Sequence, residues 1–396
     1  MGALSCLVQI GGAFLKLGLI SFGGPIAHLG YFHEEFVRKR CWLDDETYSD
    51  LVALCQFLPG PASSQVVFGI GMRQGGLAGA LLASVCFLLP SAILMVLFAY
   101  GVALLGDLSR VGWLHGLKLA AVAVVAQAVW SMGRRLCPDR TRITLALAAA
   151  AAALVMPTAV AQIGVIAAGA LAGWFLYRKE PAPTADAESG LNRSHLWAAV
   201  TLLAFAILLV TLPVAARVSG RKSIAVFDSF FRAGSLVFGG GHVVLPLLRA
   251  EVVPPHWITD DAFLAGYGAA QAVPGPLFTF AAYLGTVIKS GSHAWLGGVW
   301  CLVAIFLPAW MLVGGALPFW HLLRGKPSTQ AALNGANAAV VGVLLASLYN
   351  PVWTQGVRGA RDAAAAFIAF TLLELWKAPP WLVVLLAAVA GQWILR

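Results

Sequence analysis

From Leu77 to Leu104 the chain carries no charged residue. About 20 apolar residues are enough to cross the hydrocarbon core of a bilayer as a helix. Comparable runs recur at 4–22, 48–71, 112–131, 142–156, 158–177, 195–214, 225–248, 262–288, 293–320, 332–350, 361–376 and 379–395. With 60% hydrophobic and 11% charged residues over 396 positions, no soluble fold could cover the apolar surface. The expectation is an all-α polytopic membrane protein. Thirteen segments is a nominal count, because several are shorter than a span. The pairs within 142–177 and 361–395 read as short tilted helices. The segments at Gly23-Gly24 and Pro59-Gly60-Pro61 read as broken or re-entrant. The lipid bilayer is the implied surrounding.

Two apolar runs are interrupted in the same way, by "CQFLPGPASSQ" at 55–65 and "AQAVPGPLFTF" at 270–280. The rest of the chain keeps that register. Phe22-Gly23-Gly24 matches Phe238-Gly239-Gly240, and Glu35 matches Glu251, both at an offset of 216. Gln56 matches Gln271 and Pro59-Gly60-Pro61 matches Pro274-Gly275-Pro276 at 215; Leu89-Pro90 matches Leu307-Pro308 at 218. Ordered matches with small gaps mark an internal duplication. The expected units are a first repeat over 1–178, a polar linker and joining helix over 179–215, and a second repeat over 216–396. The stretch "RKEPAPTADAESGLNRSH" at 178–195 is the linker. Two repeats of about six segments with one extra helix between them give an inverted-topology repeat, with the broken helices at its centre.

Charge gives a weaker reading. Arg134, Arg135, Arg140 and Arg142 crowd one short loop, which assigns that loop to the cytoplasm. On the thirteen-segment count the N-terminus is then inside and the C-terminus outside. Arg38, Lys39, Arg40, Arg217, Arg221 and Lys222 then fall outside. The apolar N-terminal stretch contains Lys16 and reads as a retained segment, not a cleaved signal. The six cysteines are scattered and suggest neither a disulfide framework nor a metal site. No P-loop, H-E-x-x-H or G-x-S-x-G occurs. An enzyme is not expected, and no cofactor or nucleic-acid partner is called for.

The chemistry concentrates at the breaks. Proline removes a backbone donor and glycine frees φ, so each PGP leaves backbone groups that protein, water or ligand must satisfy. Two breaks in register point to a central site of Pro59, Gly60, Pro61, Ser63 and Ser64 with Pro274, Gly275, Pro276 and Thr279. Gly23, Gly24, Gly239 and Gly240 allow close backbone approach. A helix restarting after them would aim its positive dipole end at an anion; small-residue helix packing is the alternative. Lys16 and Arg232 each lie seven residues, about two turns, before a glycine pair. A cation inside an apolar segment suits an oxyanion, though Lys also snorkels to the interface. His242 is a further candidate donor. Glu35 and Glu251 are candidates for proton coupling, or else solvated helix ends. Lys118, with near-counterparts Asn334 and Asn337, is a weaker path-lining candidate, with a plain interfacial role as the alternative. Trp42 and Trp257 read as interfacial anchors.

The stretch "LKLGLISFGGPIAHLGYFHEEFVRKRCWLDDETYSDLVALCQFLPGPASSQVVFGIG" resembles the first domain of the chromate ion transporter family. "FRAGSLVFGGGHVVLPLLRAEVV" and "WITDDAFLAGYGAAQAVPGPLFTFAAYLG" resemble its second domain. The resemblance covers nearly the whole chain apart from the linker and joining helix. It implies a multi-pass protein of the bacterial inner membrane that exports chromate and gives chromate resistance. Sulfate, a similar tetrahedral dianion, is a second candidate substrate. Export would draw on membrane potential or proton antiport. A sulfate or oxyanion importer and an anion channel are the alternatives on the same scaffold. A homo-oligomer is left open.

Overall fold

The computed structural model describes residues 3–22, 24–104, 111–156, 158–177, 193–238, 241–320 and 327–393. The described chain is helical, without a strand. The linker residues 178–192 lie outside it.

The first half opens with two helical hairpins. Helix α1 (Ala3–Ile20) is followed by α2 (Gly24–Phe32), which a π-helical turn extends over His33–Lys39. The two arms lie side by side, with Phe14 and Phe36 rings 4.8 Å apart. The chain therefore returns to the end at which it began. There the Gln74 side chain donates to the Trp42 carbonyl at 3.1 Å, and Cys6 Sγ to the Gln74 carbonyl at 3.4 Å. The second hairpin pairs α3 (Asp45–Phe57) with the first part of α4 (Ala62–Ala103) across Pro59-Gly60-Pro61. Arms of about 13 residues reach about 20 Å, short of a 30 Å core. At Gly75 and Gly76 the backbone leaves helical geometry. The chain doubles back there, and a Cβ on Gly71 would meet the Gly79 carbonyl at 2.6 Å. The rest of α4 is a full span.

Then follow α5 (Gly112–Leu136), α6 (Arg140–Val155), α7 (Ala159–Tyr177) and α8 (Arg193–Ser219). Only 6% of the apolar window of α8 is buried, so this joining helix runs along the outside of the bundle.

The second half repeats the plan. Helix α9 (Lys222–Ser235) pairs with a 3₁₀ turn over Gly241–Val243 that leads into α10 (Val244–Val252). Helix α11 (Asp260–Ala270) pairs across Pro274-Gly275-Pro276 with a 3₁₀ turn over Leu277–Thr279 and α12 (Phe280–Lys289). Equivalent residues cap the second hairpin in each half: Asp44 accepts from the Thr47 amide at 2.7 Å, and Thr259 from the Ala262 amide at 3.3 Å. Helices α13 (Trp295–Ala316), α14 (Pro327–Ser347), α15 (Ala360–Glu374) and α16 (Pro380–Trp393) complete the chain.

The halves are interlocked. Helix α16 packs on α5, where a Cβ on Gly391 would lie 2.5 Å from the Gly112 carbonyl. Helix α7 packs on α14, where a Cβ on Gly173 would lie 2.5 Å from the Ala331 carbonyl. Each half thus contributes its last helix to the other. Among the described residues, six helices are long and apolar enough to cross a membrane. The sequence count of thirteen is larger because four segments are hairpin arms and three, at α6, α15 and α16, are helices of only 16, 15 and 14 residues. This alters the charge reading. Arg38, Lys39 and Arg40 follow a returning arm, so they lie at the end where the chain begins and not across the membrane from it.

Candidate functional site

The four hairpin tips meet inside the bundle and satisfy one another. The Gly60 amide donates to the Val237 carbonyl at 2.6 Å, and the Gly275 amide to the Ser21 carbonyl at 2.8 Å. Both glycines hold positive φ, +121° and +101°. These two amides are therefore consumed by the protein, contrary to the expectation that the PGP backbones would offer them to a ligand. Gln65 braces the first tip by donating to the Pro59 carbonyl at 2.8 Å, and His28 Nε2 bonds the Ser21 carbonyl at 3.0 Å.

A cavity of about 970 Å³ reaches these tips. Gly24, Ala62 and Gly241 all line it. Each begins a helical segment: α2, α4, and the 3₁₀ turn into α10. A helix start carries amides with no intrahelical partner and about half a positive charge. In α4 the first intrahelical amide bond is from Gln65 to the Pro61 carbonyl. The amides of Ala62, Ser63 and Ser64 precede it. The Ser64 hydroxyl is buried without a hydrogen-bond partner. Three helix starts facing one water-accessible space form an electrostatically positive floor suited to an anion.

The walls are largely apolar, with amide side chains set among them. Gln56, Gln127, Asn334 and Asn337 line the cavity, and His242 lies beside Gly241 with Nδ1 2.8 Å from the Tyr267 hydroxyl. Arg135 and Lys377 add charge, partly offset by Asp50 and Glu374. Arg135 is two turns beyond Gln127 on the same face of α5, farther from the tips.

Of the expected site residues, Gly24, Gly60 and His242 line this cavity. Gly23, Gly239 and Gly240 lie outside the described residues. Ser63 and Ser64 are buried just behind the floor, and Thr279 is buried with its hydroxyl donating to the Pro276 carbonyl at 2.8 Å. Pro59, Pro61, Pro274 and Pro276 shape the tips. The two cations are held elsewhere by carboxylates. Lys16 Nζ is 3.1 Å from Glu35 Oε2. Arg232 grips Glu251 with both terminal nitrogens, at 2.6 and 2.9 Å. Both pairs span 19 residues and tie together the two arms of the first hairpin in each half. Arg40 adds a second bond to Glu35 at 2.8 Å, and Asp228 a second to Arg232 at 3.0 Å. The lining residues Gln127, Arg135 and Gln330 escaped sequence reasoning, because nothing in a helical run marks which face meets a cavity.

Hairpins with arms too short to span, joined tip to tip beside a cavity floored by helix starts, and six helices long and apolar enough to cross a membrane among the described residues define a polytopic α-helical membrane protein. The sequence model of the "Chromate transporter" family matches residues 8–174 and 224–392. The chain belongs to that family. It is 28% identical over 401 residues to a chromate transport protein of Pseudomonas aeruginosa, covering 98% of this chain and 92% of that one. It is 27% identical over 370 residues to a chromate transport protein of Cupriavidus metallidurans, covering 91% and 86%. A probable chromate transport protein of Synechococcus elongatus is 27% identical over 396 residues, covering 97% and 95%. No solved structure matches the chain.

Proposed function

We propose that the protein is a secondary transporter that carries chromate out of the cytoplasm by alternating access, and that its two halves are inverted repeats, 1–178 and 216–396. The carrying observation is the cavity floored by the starts of α2, α4 and the α10 segment. It is open to solvent, and its lining does not extend to buried Lys118, which meets Asp261 at 2.6 Å. A continuous pore would make a channel; a dead-ended cavity fits a carrier. The inverted arrangement is supported by Tyr100, near the far end of α4, which donates to the Ser292 carbonyl at 3.3 Å, at the base of the second-half hairpins. Hairpins of the two halves then enter from opposite ends.

The cytoplasmic assignment of the open end rests on Arg38, Lys39, Arg40, Arg134, Arg135, Arg140 and Arg142. Chromate, a tetrahedral dianion, would give up water to the amides of Ala62, Ser63 and Ser64, with Gln56, Asn337 and His242 around it. Membrane potential favours exit from a negative interior by about 4.6 kcal/mol per 100 mV for two charges. Chromate export in an inner membrane would give resistance. Glu35 and Glu251 are locked to cations, so potential-driven exit is favoured over antiport through them.

The experiment is radiolabelled chromate flux into everted vesicles, with and without an imposed potential and with excess sulfate. Saturable uptake that follows the potential supports export; sulfate competition measures selectivity. Absence of flux above empty vesicles, with the protein inserted, refutes chromate export.

A further inference from the structure

The open cavity has a shut counterpart. Its wall from α3 and α14 includes Ala53, Leu333 and Asn337. In the register of the duplication these match Gly268 on α11 and Leu114 and Lys118 on α5, at offsets of 215, 219 and 219. The first set faces the cavity. The second is sealed: Leu114 is 0% and Lys118 2% exposed, and Gly268 abuts the Leu117 backbone. The Lys118 ammonium donates to Asp261 Oδ1 at 2.6 Å. The same pair of surfaces thus exists twice, once parted and once closed. Among these three matched pairs the charge differs at one, where the parted face carries the neutral amide of Asn337 and the closed face the cation of Lys118. His115, one turn earlier, is held by Asp362 at 3.0 Å and is not a free second cation.

We propose that the α5–α11 face is a second oxyanion-facing surface, opening to the opposite side of the membrane, where Lys118 meets the tetrahedral dianion and Asp261 takes its place when the face is shut. This rests on the oxyanion-transport reading above. A buried ammonium is tolerated because a carboxylate partners it. Parting α5 from α11 breaks that pair and exposes Lys118, and a dianion then competes with Asp261 for it. The ligand-free face recloses on its own carboxylate. The anion is met by amides and helix starts on one side, and by an added point charge on the other. A plain inter-helix brace would instead affect stability alone.

The test uses the full chain, with its native cysteines replaced, in vesicles of both orientations. Leu333→Cys or Leu114→Cys is labelled with a membrane-impermeant maleimide, with and without chromate. Leu333→Cys should react and Leu114→Cys should react slowly. Asp261→Asn should speed labelling of Leu114→Cys by about tenfold or more and slow that of Leu333→Cys. Chromate should protect the newly exposed Leu114→Cys when Lys118 is present and fail to do so with Lys118→Gln. Exchanging the charges (Lys118→Asp with Asp261→Lys) should shut the face again, with Leu333→Cys still reactive as the sign of a folded protein. A Leu114→Cys that stays inert beside Asp261→Asn, or chromate protection that survives Lys118→Gln, overturns the proposal. Protection of neither cysteine by chromate refutes the substrate reading, and with it the ligand role of Lys118, whatever the labelling rates.

Discussion

The Gly60 amide donates to the carbonyl of Val237 at 2.6 Å, across the boundary between the two halves. Its register mate Gly275 returns the bond to Ser21 at 2.8 Å, and Ser21 and Val237 are themselves mates at an offset of 216. Each PGP break leaves backbone that hydrocarbon would leave unpaired at a cost of several kcal/mol. The duplication solves this reciprocally, because each broken tip supplies what the other lacks. The tips are fixed to one another, and the first amides of α4 precede its first intrahelical bond, from Gln65 to Pro61.

Gly60→Ala should therefore fail at the tip. At φ +121° an L side chain is strained, and the new Cβ would lie 2.9 Å from Gln65 Nε2. Strain of this kind costs about 1–3 kcal/mol. The expected outcome is inserted protein with a lowered unfolding temperature in detergent and little chromate flux. Wild-type flux from Gly60→Ala would remove the tip from the mechanism.

The two hairpin ion pairs should differ in weight. Arg232 is 20% exposed and bidentate on Glu251, whereas the Lys16 side chain is 53% exposed. Breaking a largely buried pair from one side costs about 3 kcal/mol. A half-exposed pair is worth at most about 1 kcal/mol. Arg232→Met should lower thermal stability clearly and Lys16→Met slightly. Neither should raise the KM for chromate selectively, since neither side chain lines the cavity. A selective KM rise with unchanged stability would return these cations to the substrate path.

Much of this plan was legible. The PGP and Gly-Gly breaks, the duplication and the cation-to-glycine spacing recur in register, so comparing the two halves reveals them. What stayed hidden has a common cause. Lys16 and Glu35 can be matched to Arg232 and Glu251 by spacing, but their pairing depends on the hairpin folding back. Every residue has a carbonyl, so nothing marks Ser21 or Val237 as acceptors. Lys118 and Asp261 are 143 residues apart, and nothing in the sequence pairs them. The one signal was that Lys118 breaks a register in which its mate is Asn337. Apolar content could not tell a spanning helix from a hairpin arm or from a short helix such as α6, α15 or α16, which is why thirteen segments reduce to six long spans among the described residues.

Asn337 tests the cavity directly. It is uncharged and lines the wall near the helix starts. Asn337→Asp is nearly isosteric and sets a carboxylate where a dianion would approach. Repulsion of about 1–3 kcal/mol at an intermediate effective dielectric corresponds to a rise in KM of about fivefold to 150-fold. Asn337→Lys should lower KM and slow release. Flux kinetics in everted vesicles measure both. Equal KM values for the two variants would place the anion elsewhere.

The interlocked helices give the sharpest structural contrast. Gly391 and Gly12 are both glycines on apolar helices, and sequence alone would rank them together. A Cβ on Gly391 would stand 2.5 Å from the Gly112 carbonyl, with the Gly116 backbone as near, while one on Gly12 would meet nothing within 4 Å. Backbone cannot yield as a flexible side chain can, so Gly391→Ala must push α16 away from α5. Overpacking of this kind costs about 1–3 kcal/mol. Gly12→Ala should be neutral or slightly stabilising through helix propensity. The measurement is the unfolding temperature and the yield of monodisperse protein in detergent for each variant. A Gly391→Ala protein as stable as Gly12→Ala would mean that α16 does not pack on α5 at this distance, and the exchange of last helices between the halves would have to be abandoned.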